Sequence, residues 1–142
     1  MTQLAFKNSE LQSLLTFLNE LKIKGVSQNR ARFQVVKLLK EKVDELAESQ
    51  RAVLNEFVMT DASNKPIIKG NEYQLKPNSR DDYNHEVETL MNENALITID
   101  DYQAKFKTLY EFLLKYDQEL EGTSAYAFGA FLDELERVNI NA

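Results

Sequence analysis

Cysteine and tryptophan are absent from this 142-residue chain; histidine occurs once, proline twice and glycine four times. The missing cysteine excludes disulfides, thiolate metal sites and cysteine nucleophiles together, and it fits a reducing compartment. A Ser-His-Asp relay would have to pass through His85, and no nucleophile-elbow motif accompanies it. Structural zinc asks for about four Cys or His ligands, which the chain does not hold. There is no Gly-rich phosphate loop. No apolar run approaches the roughly 18–20 residues that span a bilayer. The opening Met1-Thr2-Gln3-Leu4-Ala5-Phe6-Lys7 lacks the basic-then-apolar pattern of a signal peptide. These absences lead us to expect no enzyme, no cofactor, no metal and no membrane partner.

What is present points to a folded, mainly helical protein. The hydrophobic share is 43% and the aromatic share 10%, and the scarcity of Gly and Pro leaves few helix breakers. At this length a single domain over residues 1–142 is expected.

The chain is organised around the segment from Asn29 to about Thr60. Val36, Leu39, Val43, Leu46, Val53 and Phe57 recur at alternating spacings of three and four, the rhythm of one apolar helical seam. Phe33, Ala47 and Leu54 form a second rank beside it, wide enough to face a core. As one helix it would span roughly 45–50 Å. Gln50 stands where the seam asks for an apolar residue, so it sets register against a partner helix or marks where the helix leaves the core.

Around this segment the other elements are shorter. Leu4 and Phe6 alternate as in a strand. Ser9 with Gln12 fits a capping box ahead of a stripe of Leu11, Leu14, Leu15, Leu18 and Leu21. Gly25 suits the C′ position that ends this helix, with Lys22 and Lys24 in its last turn. Val26–Asn29 then forms a short link, which places the leucines against the first half of the long helix. Residues 61–79 break the pattern, and Ile67–Lys69 and Glu72–Leu75 are expected to pair as a hairpin through Gly70-Asn71. A third helix starts at Ser79 and ends near Asn94. Ala95–Ile99 reads as a strand. A fourth helix runs from Asp100 to Gly122, and a fifth opens at Thr123 or Ser124, where Gly129 is expected to let a neighbouring helix come close. The fold class is therefore mainly α (α+β): five helices around one long helix, with a small hairpin and short strands.

Charge is unevenly spread. Residues 1–80 carry 13 Lys/Arg against 9 Asp/Glu, and residues 81–142 carry 4 against 14. Lys22, Lys24, Arg30, Arg32, Lys37, Lys40 and Lys42 cluster with only Glu41 opposing. Either the two halves neutralise each other on folding, or the cluster meets an anionic partner. No aromatic residue is read as interleaving with this cluster and the whole chain is acidic, so direct nucleic-acid binding is disfavoured. Asp81, His85 and Glu88 share one side of the third helix and could hold a metal with outside ligands; they also match a solvated acidic face. The pairs Asp100/Asp101, Asp117/Glu119/Glu121 and Asp133/Glu134/Glu136 are read as caps and solvated surface. Arg30, Arg32, Lys37, Gln50 and Phe57 are the residues we assign to partner binding.

Four stretches carry a resemblance: Phe6-Lys7-Asn8-Ser9-Glu10-Leu11; Leu21-Lys22-Ile23-Lys24-Gly25; Asn29-Arg30-Ala31-Arg32-Phe33 followed by Lys37-Leu38-Leu39; and Tyr116-Asp117-Gln118-Glu119-Leu120-Glu121-Gly122. In these the chain resembles a domain-of-unknown-function family of small proteins from phages and prophages of Gram-positive bacteria. The resemblance covers nearly the whole chain, least so over Asn64–Lys76. It implies a phage origin and a place among late tail and lysis genes. The expected function is a non-enzymatic protein acting through protein–protein contacts, tail-associated or in virion assembly. It would lie in the cytoplasm of the infected host or in the virion, with the long helix offering a seam for self-association. The alternative is a host-directed inhibitor whose acidic second half occupies a host nucleic-acid-binding protein.

Overall fold

The alternations and helical stripes resolve, in a computed structural model that describes residues 1–140, into nine α-helices and strands and two single-turn 3-10 helices, Asn8–Glu10 and Asp100–Tyr102. In chain order the nine are β1 (Gln3–Lys7), α1 (Leu11–Glu20), α2 (Val26–Phe57), β2 (Ile68–Lys69), β3 (Glu72–Tyr73), α3 (Arg80–Asn92), β4 (Asn94–Thr98), α4 (Gln103–Leu114) and α5 (Gly122–Arg137). The fold is α+β and mainly helical, with one long helix and two small antiparallel strand pairs. It separates into two compact units, one of Met1–Val43 with the chain from Asn94 onward, the other of Asp44–Glu93.

In the first unit, β1 pairs antiparallel with β4, with Leu4 opposite Ile97 and Phe6 opposite Ala95. Because side chains alternate along a strand, these four point to one face and are buried, while Lys7 and Leu96 stay exposed. Phe6 stacks on Phe131 of α5, centroids 6.1 Å apart and planes 4° from parallel. Phe17 of α1 meets Phe128 of α5 edge-on at 5.9 Å. Helix α4 adds Phe106, Leu109 and Leu113 to this core. Tyr110 is buried beside them and donates its hydroxyl to Glu136, 3.1 Å away. Burial first, and then the neighbouring Glu136 carboxylate, hold its phenol above the ordinary tyrosine value.

The outer edge of β1 is closed by α5. The Ala5 N–H donates to Glu134 Oε1 at 2.8 Å, and Arg137, ion-paired to Glu134, donates to the Gln3 carbonyl at 2.8 Å. One helical turn thus satisfies a donor and an acceptor that an edge strand would leave open. At the same end, the Thr2 N–H lies 3.1 Å from both carboxylate oxygens of Asp100.

Several local expectations shift. Helix α1 ends at Glu20, because Leu21 turns extended (φ −60°, ψ 136°). Gly25 lacks the positive φ of a C′ glycine; its carbonyl instead accepts the Asn29 N–H at 3.0 Å and opens α2. The link is therefore Leu21–Gly25, and Val26–Asn29 is helix. Five extended residues reach about 16 Å, so α1 need not lie along α2. Its main neighbour is α5. Ahead of α1 the Ser9–Gln12 box is replaced by Glu10, which accepts the Lys7 N–H at 3.2 Å. Helix α4 stops at Leu114, so Tyr116–Glu121 is not helical. A Cβ built on Gly129 meets nothing within 4 Å, so no helix approaches there.

The second unit contains the end of α2, α3 and the expected hairpin. Gly70 has φ +64° at the first central position of the β2–β3 turn, as a type II′ turn requires. The hairpin leans on the chain leaving α2: Val58 bridges Leu75 and Thr60 bridges Pro66. These bridges also end the helix at Phe57, whose carbonyl accepts the Lys76 N–H at 2.7 Å. Ser79 directs its hydroxyl to the Lys76 carbonyl rather than capping α3. Phe57 meets Tyr83 of α3 edge-on at 5.9 Å. Val58 is the one fully buried side chain among the described residues of this unit.

Two stability measurements follow. Glu134→Ala leaves the Ala5 donor and Arg137 without their acceptor and is expected to cost about 1–3 kcal/mol in urea unfolding, whereas exposed Asp133→Ala is neutral; equal effects would refute the edge-closing role. Gly129→Ala is expected to add about 0.5–1 kcal/mol; a loss would mean that a neighbour does pack on that position.

Candidate functional site

The Leu21–Gly25 connector sets which side of α2 faces outward. Arg32 donates to the Leu21 carbonyl and, at 2.7 Å, to Asn29 Oδ1. Asn29 Nδ2 donates to the Ile23 carbonyl at 3.1 Å, and the Lys22 N–H donates to the Tyr116 hydroxyl at 3.4 Å. Extended backbone has no ladder of its own, and these side chains supply the missing partners. With α2 held this way, Ala31, Val35 and Leu39, spaced four apart, are its buried residues.

The opposite side carries Val26, Arg30, Phe33 and Lys37, at spacings of four, three and four, all exposed. Val26 is 77% exposed and Phe33 69%, well above what their apolarity alone would give. Phe33 therefore does not belong to a buried rank; α2 turns its small Ala31 inward instead. Val26, Arg30 and Phe33 line an open groove of about 490 Å³ with Lys24 and with Lys105 of α4. None of Lys24, Arg30, Lys37 and Lys105 has a hydrogen bond or ion pair among the described residues. The first turn of α2 has no acidic residue, so the positive end of the helix dipole adds to these cations. An aromatic ring does interleave with the basic cluster, contrary to the expectation from sequence.

Beyond Lys24 the surface changes sign. A second groove, about 690 Å³, runs from Lys24 and Gly25 past Lys22 to Asp117 and Gln118. A third, about 520 Å³, continues from Lys22 and Gln118 to Glu119 and Glu121. Successive grooves share lining residues, and we call the series a furrow along the connector, with cations at one end and carboxylates at the other.

The residues assigned to partner binding do not form one site. Arg30 and Lys37 stand on the exposed stripe. Arg32 is half-buried and bonded to the connector. Gln50 and Phe57 belong to the second unit: Gln50 Nε2 lies 3.7 Å from Met91 Sδ of α3, and Phe57 packs on Tyr83. Lys24 was named only within the basic cluster, and Val26, Phe33 and Lys105 were missed. The available signal was the spacing of Val26 and Phe33 to Arg30 and Lys37, which places apolar and basic residues on a single helical face.

Asp81, His85 and Glu88 are exposed on α3, and among the described residues no three His, Cys, Asp or Glu side chains gather closely enough to hold a metal ion. No helix of the described residues is long and apolar enough to cross a membrane. The arrangement on α2 suits binding: exposed aromatic and aliphatic groups framed by unengaged cations, which take up an apolar side chain flanked by anionic groups.

The profile of the family described as "Protein of unknown function (DUF1617)" matches residues 2–139. No curated protein and no solved structure matches the chain.

Arg30 and Arg32 separate in a stability assay. Arg32→Ala strips partners from the connector and is expected to cost about 1.5–3 kcal/mol. Arg30→Ala stays within about 0.5 kcal/mol. Equal melting temperatures for the two variants would show that Arg32 does not hold the connector.

Proposed function

The chain belongs to the DUF1617 family, and we propose that it is a non-enzymatic protein acting through protein–protein contacts in the tail or the assembly of a bacteriophage particle. The observation that carries the reading is the outward stripe of α2, where Val26 and Phe33 stand exposed among cations that the chain itself leaves unengaged. Exposed aromatic and arginine side chains are the types that carry binding energy in protein interfaces. The phage assignment is supported by the likeness of Leu21–Gly25, Asn29–Phe33 and Tyr116–Gly122 to small phage and prophage proteins of Gram-positive bacteria. On this reading the protein acts in the infected cell's cytoplasm during assembly and, if retained, in the virion.

The alternative, an acidic inhibitor of a host nucleic-acid-binding protein, has less surface to draw on. Asp100, Glu134 and Glu136 are already engaged by Thr2, by Ala5 with Arg137, and by Tyr110.

The test is mass spectrometry of purified particles and tail intermediates from a prophage carrying the tagged gene. The protein is expected to co-purify with them, and Arg30→Glu with Phe33→Ser to remove it without lowering its melting temperature. Absence from every particle fraction, with recovery of a host nuclease or polymerase in its place, would overturn the assembly reading.

A further inference from the structure

The furrow along the Leu21–Gly25 connector has opposite charge at its two ends and apolar side chains beside each. We propose that it is a two-fold interface, and that its occupant is the same furrow of a second copy of this chain. This names the partner for the protein-contact reading above and rests on it.

A two-fold interface sets one surface against its own copy, so that a residue away from the axis meets a second residue of the partner copy and the reverse contact recurs. A surface can serve in this way if rotation by half a turn places its cations on its own anions. The furrow has that form. Lys24, Arg30 and Lys105 mark one end, and Glu119 and Glu121 the other. Grooves that share Lys24, and then Lys22 and Gln118, lie between them. None of these five side chains has a hydrogen bond or ion pair within the described chain, although the Glu121 backbone carbonyl accepts the Ser124 N–H at 3.2 Å. Asp117, between the ends, touches only its neighbour Gln118, at 3.4 Å.

Charge complementarity gives register, and the apolar residues give area. Val26 and Phe33 are exposed at the cationic end, and the half-exposed Leu120 lines the anionic end. A second copy matches both ends at once. An acidic peptide from elsewhere would engage the cations and leave Glu119 and Glu121 unmatched. A nucleic-acid strand would find one exposed ring at the cationic end and then run onto carboxylates that repel its phosphates.

The experiment is sedimentation velocity of the full chain at low and at high salt, with melting temperatures as the control for folding. The wild type is expected to dimerise at low salt and to dissociate as salt rises. Lys24→Glu with Arg30→Glu makes both ends anionic, and Glu119→Lys with Glu121→Lys makes both ends cationic. Each double variant alone is expected to be monomeric, and an equal mixture of the two to recover a dimer. Phe33→Ser is expected to weaken the wild-type dimer at least about tenfold. A wild type that stays monomeric, a dimer indifferent to the charge reversals, or a mixture that does not pair would each overturn the proposal. So would a monomer that binds an oligo-dT strand through Phe33. A monomeric protein still found in phage particles would sink the dimer and leave the protein-contact reading standing; absence from particles together with a salt-sensitive dimer would do the reverse.

Discussion

The rotation of α2 about its own axis governs the first unit, and the extended connector fixes it. A helix can bury only one stripe, and on α2 the expected seam through Val36 and Leu39, the rank of Phe33, and the pair Ala31 and Val35 compete for that place. Arg32 and Asn29 decide between them by bonding the carbonyls of Leu21 and Ile23. With these two side chains turned to the connector, Ala31, Val35 and Leu39 point inward. Phe33 lies two residues from both Ala31 and Val35, about 200° around the helix at 3.6 residues per turn, so it must face out. The exposed aromatic ring follows from where the helix's polar anchors attach.

Much of the fold was legible for the same reason that helices and strands have fixed periods. The leucine stripe of α1, the Phe106–Leu109–Leu113 stripe of α4 and the alternation of Leu4 with Phe6 each specify one element and one buried face. The Gly70-Asn71 turn was legible because few residues accept φ > 0. Boundaries were less so. Gly25 suits either a helix end or a helix start, and the choice depends on hydrogen bonds to Arg32 and Asn29 that no local pattern announces. The candidate site was half legible. Arg30 and Lys37 stand out as unopposed cations, but Phe33 reads as core by composition, and only the tertiary anchoring of α2 turns it outward. Lys105 was out of reach, since it joins the groove from a different helix.

The charges of the chain fall into two sets once their partners are known. Glu134, Arg137, Asp100 and Glu136 lie close to strand backbone or to a buried hydroxyl, and each satisfies a group that folding would otherwise strand. Their removal should be felt as lost stability. The side chains of Lys24, Arg30, Lys37, Lys105, Glu119 and Glu121 satisfy nothing inside the described chain. Cations grouped without counter-charge repel one another, so their clustering on one helix face costs stability and gains nothing within the monomer. This asymmetry separates a surface shaped for contact from ordinary solvated charge.

The second unit obeys a different balance. Its helices carry apolar seams, yet Val58 alone among its described residues is fully buried. Phe57, Tyr83, Leu54 and Met91 are only half covered. Backbone pairing compensates in part, since the chain leaving α2 bonds both to the hairpin and to the segment before α3. A unit of this size held by few buried side chains opens at low free-energy cost. The first unit, with its stacked Phe6–Phe131 pair and closed strand edge, supplies the rigid surface on which a specific contact can be built. Specific recognition needs groups held in place before the partner arrives, and this argues for locating it on the α2 face and the connector furrow rather than on the thinly packed hairpin.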